Sequence, residues 1–459
     1  MQLRDYQARA LASIRSHYQE GTKKVLLHLA TGSGKTVIFS ELMRLALRKR
    51  KRSMMVVRGR ELVSQASERL IRNELDHGVY MGDHERYHPS KFIQLASIDT
   101  LRSRSLRPPI DILVIDECHL TGSKSYLDFL ADYPNAYILG VTATPYTKAP
   151  LTHIATKVVY PISHKELIEQ GYLVPLRYFG PTTPDLKNVK TIGGEYNAKD
   201  LFIAMNQSRL VGDIVENYLK LGEDRPALCF AVNIEHSKSI VDQFIAAGIP
   251  AAHCDAETPD EIRKQTLENL RNGNIKIISN VGIFCTGVDI PFLSCLILAR
   301  PTKSYILHIQ QLGRGTRVEK GKKNCLVLDH AGNVMRHGFA EEEKDAALGG
   351  YGLRYKEKPP TIFTCEHCFA IIEKFPCFIC EKPPSDKTLR KMLIEMKPGL
   401  LEEISKDEQF KNVNETQVQT EVFRLNQIRV SMGYKEGWVY HRLKNRFGKN
   451  VADKFFRKH

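Results

Sequence analysis

The chain has 459 residues and a formal charge of +15. Its ordinary apolar content of 42% excludes a wholly disordered chain, and its length allows about three domains of usual size. No apolar N-terminal stretch resembles a secretory leader and no apolar run reaches spanning length, so a soluble protein with no membrane partner is expected, its basic surface suited to a polyphosphate or another acidic partner.

Residues 1–24 open on LRDYQ and continue as a helix through Leu11, Ile14 and Tyr18, read as a capping helix. VLLHL (25–29) is a short buried strand, ATGSGKT (30–36) a glycine-rich turn, and the stretch after it shows helical spacing. Strand, glycine turn and helix are the context of a phosphate-binding loop. Gly32 and Gly34, with Thr31 and Ser33 between and beside them, can turn backbone N–H groups toward an anion at the positive end of the helix. Lys35 can reach the β- and γ-phosphates, and the Thr36 hydroxyl is placed to hold Mg²⁺. Leu29 stands where the stricter pattern has a glycine, so the loop needs support from the rest of the chain.

Five basic residues at 48–52 read as a solvated helix end. MMVV is a strand followed by RGRELVSQ; FIQLASIDTL (92–101) is strand then helix. DILVI (111–115) is a buried strand ending in DECH (116–119). Behind such a strand Asp116 can serve a metal ion and Glu117 can orient and deprotonate a water. AYILGVTATP (136–145) is a further strand with a polar end. The alternation predicts a parallel, doubly wound sheet. GYLVPLRYFGPTTP (171–184) carries several prolines and reads as a crossover between domains. A second α/β series follows, with strands at 227–232, 249–254, 275–280, 294–300 and 324–330 and Thr258 as the expected cap of one helix. Arg314 and Arg317, three apart in QLGRGTR (311–317), are expected on one helix face, where they could clamp a γ-phosphate or make a basic surface turn.

Six of the ten cysteines are scattered and read as small core residues, which fits a reducing cytoplasm better than a disulfide framework. Cys365, Cys368, Cys377 and Cys380 form C-x2-C-x8-C-x2-C, a tetrahedral Zn²⁺ pattern, with an iron–sulfur cluster as the alternative. This site is expected to lie outside the α/β domains, so that truncation near Lys358 leaves them folded. The tail from Arg429 is basic and aromatic, with Trp438, Leu443 and Phe447 expected in a small helical core and the basic face expected to grip a duplex or junction.

Taken in order over about residues 1–335, these motifs resemble those of superfamily 2 helicases of the DExH type. LRDYQ resembles the adenine-reading Q motif, ATGSGKT motif I, VVRGRELVSQ motif Ia, DECH motif II, VTATP motif III, SNVGIFCTGVDIP motif V and QQLGRGTR motif VI. GYLVP, ARPTKS, LDHAGN and the cysteine cluster are similar to those of RadD-like bacterial repair helicases and related phage DNA helicases. The resemblance implies two tandem RecA-like domains at 1–160 and 161–345, a linker and zinc module at 346–385, and a basic helical DNA-contacting region at 386–459. It also implies ATP and Mg²⁺ as cofactors. Gln7 would read adenine with Arg4 or Tyr6 packed on it, Asp289 would contact nucleotide, and Gln311, Arg314 and Arg317 would complete the site across a cleft. Arg58, Thr142, Thr144 and Thr286 would touch the nucleic acid or couple it to the site. Cys118 stands within DECH where other members carry alanine, another small residue. The implied activity is ATP-dependent unwinding or remodelling of single-stranded, forked or branched DNA in repair, recombination or replication. The implied setting is a monomeric motor in a bacterial or phage-infected cytoplasm, with a single-strand-binding or replication protein as candidate partner. An annealing or branch-migration translocase, an RNA helicase and a restriction-type motor subunit are the rival readings.

Overall fold

The computed structural model describes residues 3–342 apart from 82–83, 104–107, 147–149, 181–185, 187–188, 206–207 and 286–287, part of 363–383, and Leu425, Val439, Tyr440 and Leu443. In α1 (Asp5–Gln19), Tyr6, Ala10 and Ile14 are four apart and buried. β1 (Lys24–His28) passes through the glycine turn into α2 (Lys35–Arg48). Then come β2 (Ser53–Val57), α3 (Arg60–Arg72), β3 (Gly78–Tyr80), β4 (Ile93–Ser97), α4 (Ile98–Ser103), β5 (Ile112–Ile115), α5 (Lys124–Ala131), β6 (Tyr137–Thr142) and β7 (Lys157–Val159). They form one sheet in the order β3-β4-β2-β5-β6-β1-β7, every pair parallel. Crossover helices cover both faces, so these strands are apolar on both sides. Val25, Leu27, Met55 and Val57 enter one core and Leu26, Met54 and Val56 the other. At Gly140 in β6 a Cβ would meet Ile154 at 2.5 Å and Cys118 Sγ at 3.1 Å. Cys118 packs there as a small core side chain, as its burial shows.

Ser163 and Glu166 close a capping box on α6 (His164–Glu169). Ile162, Leu167 and Leu173 join the first core, although the expected domain boundary falls before them. The proline-rich stretch expected as a crossover contains β8 (Leu176–Phe179), an edge strand. Pro175 sits just ahead of it, where a missing N–H costs the ladder nothing. A short hairpin follows, β9 (Thr191–Ile192) and β10 (Glu195–Tyr196). The second series is α7 (Ala198–Met205), α8 (Ser208–Leu221), β11 (Ala227–Phe230), α9 (Ile234–Ala246), β12 (Ala251–Cys254), α10 (Asp260–Arg271), β13 (Ile277–Asn280), β14 (Cys295–Leu298), α11 (Tyr305–Leu312), β15 (Cys325–Asp329) and α12 (Asn333–His337). Its sheet runs β12-β13-β11-β14-β15-β8, again all parallel. Two parallel α/β sheets in tandem give the RecA-like architecture. The expected cap Thr258 lies one residue too early: α10 starts after Pro259, and the Thr258 hydroxyl donates to Asp255 at 3.0 Å instead.

β16 (Phe363–Thr364) and β17 (Ile371–Ile372) pair antiparallel, and Ala370 bridges to Phe179 on the β8 edge. Ile371 lies in one core of the second sheet; Cys365, Ala370, Ile372 and Cys377 lie in the other. The cysteine segment, expected outside the α/β domains, is therefore built into the second one. Residues 385–459 form a separate unit in which Leu425, Val439 and Leu443 are buried. Leu443 is in a core as expected; Trp438, Phe447 and the basic face lie outside the described residues.

Candidate active site between the two sheets

The loop after β1 needs glycine twice over. Gly32 and Gly34 have φ of 84° and 81°, in the left-handed region. A Cβ at Gly34 would fall 2.6 Å from Gln7 Nε2, and one at Gly32 3.3 Å from Arg317 Cγ of the opposite sheet. Tyr6 Oη and Gln7 Nε2 both donate to the Ser33 carbonyl, so the LRDYQ segment fastens the loop from behind. The Ser33 hydroxyl donates to Ala30 O at 2.7 Å. Lys35 Nζ folds over the loop and donates to Leu29 O and Ala30 O, each at 3.1 Å. Burial pulls its pKa down, while Glu117 and Asp116 push it back up. The Arg4 guanidinium stacks 4.3 Å over the Tyr172 ring, and the stacked pair lines the cleft at the edge of the loop. Tyr172 was not singled out in the sequence, although it lies within GYLVP.

The acidic side follows β5. Asp116 Oδ1 accepts the Glu117 N–H at 3.0 Å. Burial raises the Asp116 carboxyl and the neighbouring Glu117 raises it further, with Lys35 the chief opposing charge. Glu117 itself sits at φ 48°, ψ 46°, a strained position for a non-glycine residue. Its carboxylate lies 3.3 Å from His119 Nδ1, which in turn is 2.9 Å from Thr142 Oγ1. The Thr144 N–H donates to that same hydroxyl at 3.0 Å. Burial pulls His119 down to about 4, so it is neutral at pH 7. Thr142 and Thr144 are fully buried. Their side chains have no face for a strand, and of their two expected roles only coupling through His119 fits.

The expected sharing of a helix face by Arg314 and Arg317 is corrected. α11 ends at Leu312 with Gly313 as its cap, and a tight turn follows in which the Arg314 N–H donates to Gln311 O at 3.1 Å. The turn is wedged between the sheets: a Cβ at Gly315 would lie 2.6 Å from Cys325 Sγ, and one at Gly313 2.6 Å from Thr31 Cβ. Both arginines still line one cleft with Arg4, Thr31, Gly32, Gly34, Lys35, Thr36, Asp116, Glu117 and Asp289. Arg317 is ion-paired with Asp289, and Arg314 donates to Val288 O. Burial pulls both guanidiniums down to about 10, which leaves them cationic at neutral pH. Gln311, expected in the site, is buried behind the turn and is not in the cleft wall. Arg58 is exposed on the loop after β2, and Thr286 lies outside the described residues. Arg69 and Arg72 of α3 also line the cleft, which nothing in their sequence spacing signalled.

The four cysteines converge, their sulfurs within 4.8 Å of one another. The Cys365–Cys380 and Cys368–Cys377 sulfurs are each 3.6 Å apart. That is too far for disulfides, and close to the roughly 3.8 Å edge of a tetrahedron with Zn–S bonds of about 2.3 Å. No described helix is long and apolar enough to cross a membrane.

A family model described as the res subunit of type III restriction enzymes matches residues 1–147, and one described as the helicase conserved C-terminal domain matches residues 211–319. The chain is 30% identical over 363 residues to a 51.5 kDa protein of a Lactococcus phage, an alignment covering 76% of each. It is 29% identical over 354 residues to IRC3 of Saccharomyces cerevisiae, provisionally named an ATP-dependent helicase, covering 72% of this chain but only 51% of IRC3. Among solved structures, the DNA-bound ATP-dependent type ISP restriction-modification enzyme LlaBIII matches with a TM-score of 0.55 at 18% identity, over 72% of this chain and 27% of that one. This last likeness concerns the fold.

Proposed function

The chain belongs to the superfamily 2 helicases, and on that premise we propose an ATP-driven motor that moves on DNA and unwinds or remodels forked and branched strands. The observation that carries the reading is the composition of the cleft. Lys35, Asp116 and Glu117 reach it from the first sheet, and Asp289, Arg314 and Arg317 from the second. A site divided between two lobes is complete only when they close, which ties hydrolysis to lobe movement.

The backbone of residues 31–34 cradles the phosphates at the head of α2, and Lys35 exchanges its two carbonyl partners for β- and γ-oxygens. Adenine is placed against the stacked Arg4–Tyr172 pair at the edge of the cleft, with Gln7 holding the loop from behind. Glu117 orients and deprotonates the water that attacks γ-phosphorus in line, and Arg314 and Arg317 balance the charge spread over the transferring group. The Thr36 hydroxyl and Asp116 carboxylate are hard oxygen donors suited to Mg²⁺, and a dication there would offset the burial that raises Asp116. When bound, that ion neutralises phosphate charge. The contacts from Glu117 through His119 to Thr142 carry the state of the site toward the motif III strand end.

Zn²⁺ is the proposed occupant of Cys365, Cys368, Cys377 and Cys380, acting as a structural crosslink. The motor lobes are proposed to divide after Leu173 rather than at residue 160, with the metal-bearing hairpin part of the second lobe and 386–459 a DNA-contacting tail. A monomeric motor in the cytoplasm, with a single-strand-binding or replication protein as partner, completes the proposal. A restriction-type motor subunit is the second reading, favoured by the match of residues 1–147 to the res-subunit model.

The test is ATP hydrolysis and strand release with single-stranded, duplex, forked and four-way DNA and with RNA. DNA-stimulated hydrolysis with release from forks or junctions is expected. Stimulation by duplex with no strand release would favour branch migration, stimulation by RNA alone an RNA helicase, and no stimulation by any nucleic acid would overturn the reading.

A further inference from the structure

Arg69 has no role in the mechanism above, yet it lines the cleft. It lies in the last turn of α3, whose Val63, Ala66 and Leu70 are buried in the first core. The end of that helix is tied to α2. The Arg44 guanidinium donates to Asn73 O, and Asn73 Nδ2 donates to Ser40 Oγ at 2.9 Å. Arg69, one turn before Asn73, is thereby set beside the helix that begins at Lys35.

The charges around it are informative. The positive charge of Arg69 favours the ionised form of Asp116 and disfavours the cationic forms of Arg314 and Arg317. It therefore stands within electrostatic reach of the acid and of both arginines from the other lobe. Lys35, Arg69, Arg314 and Arg317 converge on a cleft whose carboxylates are Asp116, Glu117 and Asp289, the last already paired with Arg317. Arg314 is 6% exposed, and among the described residues its Nε has no hydrogen-bond acceptor. Buried guanidinium N–H groups are normally satisfied, and repelling cations held together need an anion. The anion belongs on the side of the loop facing Asp116 and Glu117, away from the stacked Arg4–Tyr172 pair, and that is the side of the terminal phosphate. Arg72 is different: it is well exposed and paired with Glu68 at 3.5 Å.

We infer that Arg69 is a third arginine for the γ-phosphoryl group, supplied from the same lobe as the phosphate loop. The inference rests on the nucleotide reading and adds a residue that distinguishes triphosphate from diphosphate before the lobes close. Because α3 begins just after the exposed Arg58, the helix that holds the terminal phosphate also carries the loop expected at the strand.

The test uses the full-length protein and competition of ADP and a non-hydrolysable ATP analogue, each with Mg²⁺, against a fluorescent nucleotide. Arg69→Ala should loosen the analogue by about tenfold or more, the size of one charge-assisted hydrogen bond, and leave ADP within about twofold. Arg69→Lys should recover part of the loss. Unchanged ADP affinity also shows that the variant is folded. Equal loosening of both nucleotides, or of neither, would overturn the inference. Wild-type protein that bound neither would overturn the nucleotide reading itself, and this inference with it.

Discussion

At the scale of single residues, Glu117 is the position on which turnover depends most. Its strained backbone and its contact with His119 hold a carboxylate beside Asp116 and Lys35. Glu117→Gln keeps the shape and removes the base. It should lower kcat by about two to four orders of magnitude while nucleotide affinity is kept, as steady-state rates and direct binding would show. Wild-type turnover would mean that another group activates the water. Gly313 makes a second case. A methyl group there would lie 2.6 Å from Thr31 Cβ on the other lobe. Gly313→Ala should hold the lobes apart, cutting kcat far more than affinity for ADP, which binds through the first lobe. A variant with normal kcat would show that the turn can shift freely. Lys35, Asp116 and Glu117 were legible in the sequence because each lies in a short motif behind an apolar strand. Tyr172, Arg69 and the role of His119 were not: Tyr172 and His119 lie inside GYLVP and DECH, but only packing brings the one to Arg4 and the other to Glu117 and Thr142, and Arg69 comes from a helix with no motif of its own. The two arginines were assigned to the right cleft for the wrong local reason, since Gly313 ends the helix before either is reached.

At the scale of elements, the four-cysteine hairpin changes meaning. Its spacing was enough to propose a metal, but spacing says nothing about what a knuckle packs on. Ala370, Ile371 and Ile372 are buried against β8 and both cores of the second sheet. Truncation near Lys358 therefore should not leave the motor intact, contrary to the expectation from sequence. Burial of two isoleucines alone contributes about 3–6 kcal/mol, a large part of a domain's net stability. A chain ending at Pro384 should melt like the full-length lobes and bind about one zinc. A chain ending at Lys358 should melt well below it and lose ATP hydrolysis, because the destabilised sheet carries Arg314 and Arg317. Chelation of the metal or Cys377→Ser should shift melting in the same direction. Equal melting of the two truncated chains would return the hairpin to the status of a separable module. The stretch 171–184 does pass between domains, from the first core at Leu173 to the second at Leu176, but it also carries a strand: prolines mark where strands begin as well as where they are absent, and Pro175 opens β8.

At the scale of the whole molecule, the two sheets were readable because parallel strands covered on both faces leave near-continuous apolar runs between helices. How the lobes meet was not, since contacts such as Gly313 with Thr31 join residues far apart in sequence. Burial across both lobes has one collective consequence that solution measurements can reach. His28 in the first lobe, stacked 4.8 Å from Tyr160, and His236 and His330 in the second are all buried. Burial lowers each to about 4 from an ordinary value near 6.5. A histidine held neutral in the folded state binds protons more readily when unfolded. Its contribution is thus fully present above about pH 6.5 and is lost as pH falls toward about 4, at no more than about 3 kcal/mol each. His236 has a further reason to resist protonation, because its Nδ1 accepts the Val232 N–H at 3.3 Å. Carboxylates held low, such as Glu195 and Asp255, begin to lose their contributions only below the ordinary carboxylate range, and Asp116, raised to about 6, titrates inside the window with the opposite sign, so the three histidines together set the net direction there. Denaturant unfolding should therefore show a midpoint that is steady near neutrality and falls steeply from about pH 6.5 to 4.5 in both lobes. His236→Asn should flatten part of that slope. A midpoint unchanged across the window would mean that these histidines are open to water and that the two sheets are less tightly covered than their burial indicates.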